Sequence, residues 1–178
     1  MRSFDTLIRF RRSTRNFTDG LVSDKEYGEI MMSALIAPTS KNCQSWEFVV
    51  IEEKETLKQL SVCKDSGSAF LEKCALAIVV LGNKTITDIW VEDAAIAAAY
   101  MQLQAEDIGI GSCWCHIRNR MKGEASTEQI VRDLLEIPDR YGVLCIIGFG
   151  RKTELNEPRD LYNLTWDKVH IEKYKISD

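Results

Sequence analysis

Histidine and proline are scarce in this chain, with two of the first and three of the second among 178 residues. His116 and His170 alone leave hydrolase triads and multi-histidine metal centres little material to draw on. An excess of positive charge is also missing. At a net charge of -4 there is no general attraction to nucleic acid or anionic lipid, so any anion site must be local. No apolar run approaches the ~20 residues needed to cross a bilayer. The longest, residues 75–81 and 94–101, are far shorter, and no membrane partner is expected. The opening Met1-Arg2-Ser3-Phe4-Asp5 has neither an apolar core nor a small-residue cleavage site, which reads as a cytoplasmic protein.

Paired thiolates at zinc-finger spacing are absent as well. Cys113-Trp114-Cys115-His116 separates its thiols by one residue, whereas structural zinc sites use two or more and need four ligands. No metal is expected. The six cysteines read as small core residues kept reduced.

With 45% hydrophobic and 28% charged residues, the chain has enough apolar material for one buried core. Ser23-Asp24-Lys25-Glu26 is a capping-box signature, and Tyr27, Ile30, Met31, Ala34 and Leu35 then repeat along one helical face, ending before Pro38. Aromatic and β-branched residues predict a strand over Trp46–Ile51, and a short helix over 54–62 follows. Residues 75–81 are too apolar for a half-exposed strand and belong in the middle of a sheet covered on both faces, closed by Gly82-Asn83. An alanine-rich helix is expected over 88–108 with Gly109 as its stop, then a helix over 127–137 with Ser126 and Gln129 as a second capping box, and a buried strand over 143–149. The elements lack regular βαβ spacing, and Gly109-Ile110-Gly111 follows a helix instead of a strand, so a dinucleotide-binding doubly wound fold is excluded. An α+β fold is expected: an α/β/α layering around a central mixed, mainly antiparallel sheet. One domain spans 1–178. Its polar tail, about 151–178, carries Trp166, Val169, Ile171, Tyr174 and Ile176 and must dock on something.

Two segments carry chemistry. Arg9-Phe10-Arg11-Arg12-Ser13-Thr14-Arg15-Asn16 places four arginines in seven residues of an acidic chain. Guanidinium forks and neighbouring hydroxyls suit a phosphate, although a solvated basic turn has the same composition. Pro38-Thr39-Ser40-Lys41-Asn42-Cys43-Gln44-Ser45-Trp46 is a polar link into a strand, built of ordinary turn residues.

Taken together, these segments resemble the FMN-dependent nitroreductase family. Arg11-Arg12-Ser13-Thr14-Arg15 is similar to its opening motif, and residues 37–46 to its Ala-Pro-Ser/Thr-x-x-Asn-x-Gln-Pro-Trp motif. Asp93-Ala94-Ala95, Gly109-Ile110-Gly111-Ser112-Cys113-Trp114, Gly148-Phe149-Gly150 and Arg159 continue the likeness in order. Four positions depart from it: Ser45 stands before the Trp where Pro is usual, Glu47 follows the Trp where a basic residue is common, Gly150 replaces a Pro, and Glu157 replaces a basic residue.

The resemblance implies an FMN-dependent NAD(P)H oxidoreductase in which hydride passes through flavin N5 to a nitroaromatic or quinone by a ping-pong cycle. It implies a homodimer with FMN at the interface. Arg11, Arg12 and Ser13 would hold phosphate and ribityl chain, with Arg159 closing from the other side and Arg151 or Lys152 making up for Glu157. Arg15 would sit by the pyrimidine edge and stabilise the charge that reduction leaves there. Pro38, Thr39, Ser40 and Asn42 would come from the second subunit, and Trp114, Cys115 and His116 would form a loop beside the reactive face. The altered positions Ser45, Glu47 and Glu157 leave room for a noncatalytic flavin or nucleotide sensor of the same fold. An RNA contact for the arginines is the third reading, and the acidic total counts against it.

Overall fold

A serine ahead of an acidic first turn opens three of the helices. The computed structural model describes residues 3–174, so Met1, Arg2 and Ile176 lie outside the described residues. Ser3 caps α1 (Phe4–Phe10), a short helix that the sequence pattern does not announce. Ser23 caps α2 (Asp24–Leu35) with both halves of the box present: Ser23 Oγ accepts from the Glu26 amide and the Glu26 carboxylate accepts from the Ser23 amide.

β1 (Trp46–Ile51), α3 (Lys54–Ser61) and β2 (Leu76–Asn83) follow. Every residue of β2 is buried, as its apolar run requires, and the strand runs on through Gly82-Asn83 instead of closing there. α4 (Trp90–Asp107) ends where Gly109 takes a φ of +79°, a conformation that glycine adopts at little cost. β3 (Ile110–His116) comes next, then the two-residue strands β4 (Met121–Lys122) and β5 (Ala125–Ser126), which pair with each other. α5 (Thr127–Leu134) carries only half of its expected box: Ser126 accepts from the Gln129 amide, but the Gln129 side chain turns to Asp133 at 2.6 Å. β6 (Tyr141–Arg151) is the longest strand.

The main sheet has the order β1-β2-β6-β3, and all its pairings are antiparallel. The parallel element of the expected mixed sheet is a single bridge between Ser13 and Ser112. One face carries Leu57 and Leu60 of α3 and Val131 of α5 against Ala77, Val79 and Ile146. The other carries Ile30 and Ala34 of α2 and the alanines of α4 against Ile78, Val80 and Ile147. Small side chains on α4 let it lie close to the sheet, and the result is the expected α/β/α layering.

Among the described residues beyond β6, the one helical turn is a 3-10 turn at Trp166–Lys168, and Tyr162 (97%) and Trp166 (68%) are exposed. No helix among the described residues is long and apolar enough to cross a membrane.

Candidate functional site

The arginine segment leaves α1 and lies along β3. Thr14 donates its amide to the Ser112 carbonyl at 2.9 Å beside the Ser13–Ser112 bridge. This approach needs Gly111, where a Cβ would meet Thr14 Cγ2 and Lys152 Cγ at 2.9 Å each. Threading the segment against an edge strand fixes its backbone and leaves its side chains to differ.

Arg12 is turned inward. Its Nη1 donates to the Arg9 carbonyl at 2.7 Å and the Arg11 carbonyl at 3.0 Å, and its Nη2 to the Glu157 carbonyl at 2.9 Å. Arg12 therefore closes the last turn of α1 and fastens the tail, keeping Nε–H and one Nη2–H of its five donors. Burial, then the nearby Arg159 and Arg11, push its guanidinium below its usual value, while Glu106 pulls the other way. Arg159 is exposed beside it and donates its own amide to the Arg9 carbonyl at 2.9 Å.

Arg11 and Arg15 differ. Neither side chain forms a hydrogen bond or ion pair with the described residues. Both bear on Cys113 of β3: burial raises that thiol, while Arg15, a Ser13 hydrogen bond, Lys64 and Arg11 act to lower it. Lys64 also reaches this strand directly. Lys64 is the site residue that sequence reasoning missed; it lies in a Gly/Ser loop after α3 and donates Nζ to the His116 carbonyl at 3.0 Å.

Trp114, Cys115 and His116 belong to β3, which corrects the expected loop. Strand alternation then divides them. Cys115 points into the α3/α5 layer, where burial pushes its thiol up to about 12, too high for a reactive thiolate. Trp114 and His116 share the opposite face, their rings 6.2 Å apart and 18° from parallel, and Trp114 Nε1–H donates to His116 Nδ1 at 3.3 Å. Burial, then Arg120, Lys64 and Arg118, lowers the His116 pKa, so the imidazole stays neutral with its remaining proton on Nε2.

Arg151 is corrected as a phosphate holder. Both terminal nitrogens fork onto the Glu26 carboxylate at 2.7 and 2.8 Å, and Nε donates to the Leu21 carbonyl. Lys152 is likewise committed, to buried Glu106 at 2.6 Å.

The second segment is organised by one carboxylate. Asp93, 2% exposed in the first turn of α4, accepts from the Ser40 amide at 2.8 Å, Ser45 Oγ at 3.2 Å and Cys43 Sγ at 3.4 Å. It holds a 3-10 turn at Ser40–Asn42 and the residues just after it, where Lys41, Asn42 and Gln44 have φ values of 50°, 53° and 45°. Such left-handed residues cost of order 1–3 kcal/mol each and persist only where surroundings enforce them. The turn presents Pro38 and Asn42 outward with Thr39 and Ser40 half-buried. Two departures from the motif gain partners here: Ser45 bonds Asp93, and Glu47 accepts from the Tyr141 hydroxyl.

The two segments do not meet within one chain. Residues 38–46 lead into β1 and the arginine segment lies on β3, the opposite edges of the sheet. Three strand spacings separate those edges by roughly 14 Å.

A model of the "Nitroreductase family" matches residues 8–73 and 62–151. The structure of an FMN-dependent nitroreductase from Clostridium difficile R20291 is similar, with 39% identity and a TM-score of 0.92 over 95% of this chain and 99% of that one. A relative in Archaeoglobus fulgidus, provisionally named an NADH dehydrogenase/NAD(P)H nitroreductase, is 32% identical over 178 residues, 94% of this chain and 97% of its own. The Bacillus subtilis FMN reductase (NADPH) is 27% identical over 82% of this chain and 64% of its own.

Proposed function

The chain belongs to the nitroreductase family, and from that premise we propose that it is an FMN-dependent NAD(P)H oxidoreductase working as a homodimer. The observation that carries the reading is the pair of uncommitted guanidiniums, Arg11 and Arg15, on the segment that Ser13 and Thr14 hold against Ser112 of β3. A cluster of like charges is stable only if an anion joins it, and these donors fit the phosphate and the electron-rich edge of a flavin. FMN, when bound, supplies the chemistry: hydride uptake from NAD(P)H and delivery to an electron-poor acceptor, a nitroaromatic or a quinone, in ping-pong order.

The residues then divide the work. Arg11 and Ser13 hold the phosphate and ribityl chain, Arg12 adds its two remaining N–H groups, and Arg159 closes from the tail. Arg15, permanently charged, favours negative charge on the pyrimidine edge, with Lys64 adding to that field. Trp114 and His116 bound the other side, where His116 Nε2–H is a neutral donor.

Pro38, Thr39, Ser40 and Asn42 complete the site from a second copy, because in their own chain they sit at the far edge of the sheet. That copy would also cover Met32, Leu35 and Ile36 of the α2 end, Tyr100 of α4, and the exposed apolar tail. The purified protein is expected to be yellow, dimeric by light scattering, and to oxidise NAD(P)H with menadione or nitrofurazone. Colourless monomer that ignores added FMN would end the reading, and bound flavin without turnover would leave a noncatalytic flavin module.

A further inference from the structure

A cavity of about 330 Å³ opens ahead of α4, between the turn that Asp93 holds and the segment 84–89. Two ammonium groups line it, Lys41 and Lys84, and neither has a hydrogen-bond or ion-pair partner among the described residues. The Lys41 backbone is held at a φ of 50°, and Lys84 is anchored through its amide to the Arg140 carbonyl at 2.9 Å. Two hydroxyls accompany them with different freedom. Thr85 Oγ1–H is already given to Asn83 at 2.7 Å, whereas Thr87 Oγ1 accepts from the Ile89 amide at 3.1 Å and keeps its own proton to donate. One carboxylate, Asp88, also lines the cavity. In a chain of net charge -4 this is a local positive excess at a concave site, suited to a small anion that accepts several hydrogen bonds.

Its location narrows the anion. Ser40 lines this cavity and is also one of the residues proposed to reach the flavin of the second copy. The cavity therefore adjoins the turn proposed to meet that flavin. Resting on the oxidoreductase reading, we infer that this cavity receives the 2′-phosphate by which NADPH differs from NADH, and that Lys41 and Lys84 make the enzyme select NADPH. Thr87 donates to the same phosphate, and Asp88 limits how tightly it is held. A phosphate monoester carries up to two charges and three acceptor oxygens, which matches two ammoniums and a hydroxyl; the hydroxyl that NADH has in that place would leave both ammoniums unanswered.

Steady-state kinetics of the FMN-loaded protein with menadione tests this. The native enzyme should show a lower KM for NADPH than for NADH. Lys84→Ala and Lys41→Ala should each raise the KM for NADPH about tenfold or more, the worth of a charge-assisted contact, with kcat and the KM for NADH unchanged. Asp88→Asn should move the KM for NADPH the other way. Equal constants for the two reductants, or a KM for NADPH indifferent to both lysines, would overturn the assignment. Calorimetric titration with NADP⁺, NAD⁺ and inorganic phosphate decides the matter without turnover, so it separates failure here from failure of the oxidoreductase reading. NADP⁺ binding tighter than NAD⁺ in a Lys84-dependent way supports the inference even if no hydride is transferred. Lys84-dependent binding of inorganic phosphate, with NADP⁺ and NAD⁺ binding equally, assigns the cavity to a free anion and overturns it.

Discussion

Arg12 and Arg15 stand three residues apart on one short segment, yet their side chains are committed in opposite ways. Arg12 has given three N–H groups to backbone carbonyls, one of them 145 residues away, while Arg15 is exposed and keeps all of its own. The turn at 38–46 reverses the arrangement: there the buried group is a carboxylate, Asp93, and the backbone around it is what gets shaped. In one region a cation organises carbonyls and frees its neighbours to bind; in the other an anion organises amide and hydroxyl donors into a strained turn. Proximity in sequence is thus a poor guide to role, and commitment of donors is a better one.

Substitutions can break this contrast. The largest effect is expected for Asp93→Ala, which leaves the Ser40 amide and Ser45 hydroxyl without an acceptor and should cost about 3 kcal/mol of unfolding free energy. Flavin retention should fall with it, and denaturant unfolding together with FMN content checks both. Arg12→Ala comes next, at about 1–2 kcal/mol because the group is half-buried. It should raise proteolytic susceptibility beyond residue 157 and weaken FMN binding, whereas an unchanged cleavage pattern would deny its fastening role. Arg15→Ala should leave stability within about 0.5 kcal/mol. It should nevertheless lower the midpoint potential of bound FMN by roughly 30 mV, which is 1.4 kcal/mol for a two-electron couple. A potential equal to the native one removes Arg15 from its assignment.

The smallest effect concerns pH. The His116 pKa is depressed by burial and by Arg120, Lys64 and Arg118, so the unfolded chain takes up a proton there more readily than the folded one. Stability should therefore decline as pH falls below 6.5, the ordinary histidine value, and His116→Gln should flatten that part of the profile. Thermal melts across the range measure it.

Much of this was legible in the chain. Periodicity and capping located α2, α4 and α5, and unbroken apolar runs located β2 and β6, because in each case the deciding residues are near neighbours. β3 was not legible. Its Gly-Ser-Cys composition has little strand preference, and it exists because β6 pairs with it on one side and Ser13 bridges it on the other. The arginines announced themselves by density, but that Arg12 is committed depends on the Glu157 carbonyl, just as Arg151 and Lys152 are held by Glu26 and Glu106, all distant in sequence. Arg151 was misjudged for that reason, and Lys64 was passed over because only folding carries its loop to His116. Asp93 entered as part of a motif; its place beside Ala94 and Ala95, in the first turn of an alanine-rich helix, was the signal that it is buried and has donors to satisfy.

The clasp between Arg12 and the Glu157 carbonyl makes the end of the chain part of its beginning. A cut or frameshift upstream of that carbonyl would strip one anchor from the guanidinium and loosen the last turn of α1 that it seals. The same cut placed farther downstream would spare it. Damage to the last few dozen residues is therefore felt at the arginine segment in proportion to where it falls, and partial digestion products should sort into two stability classes at that boundary.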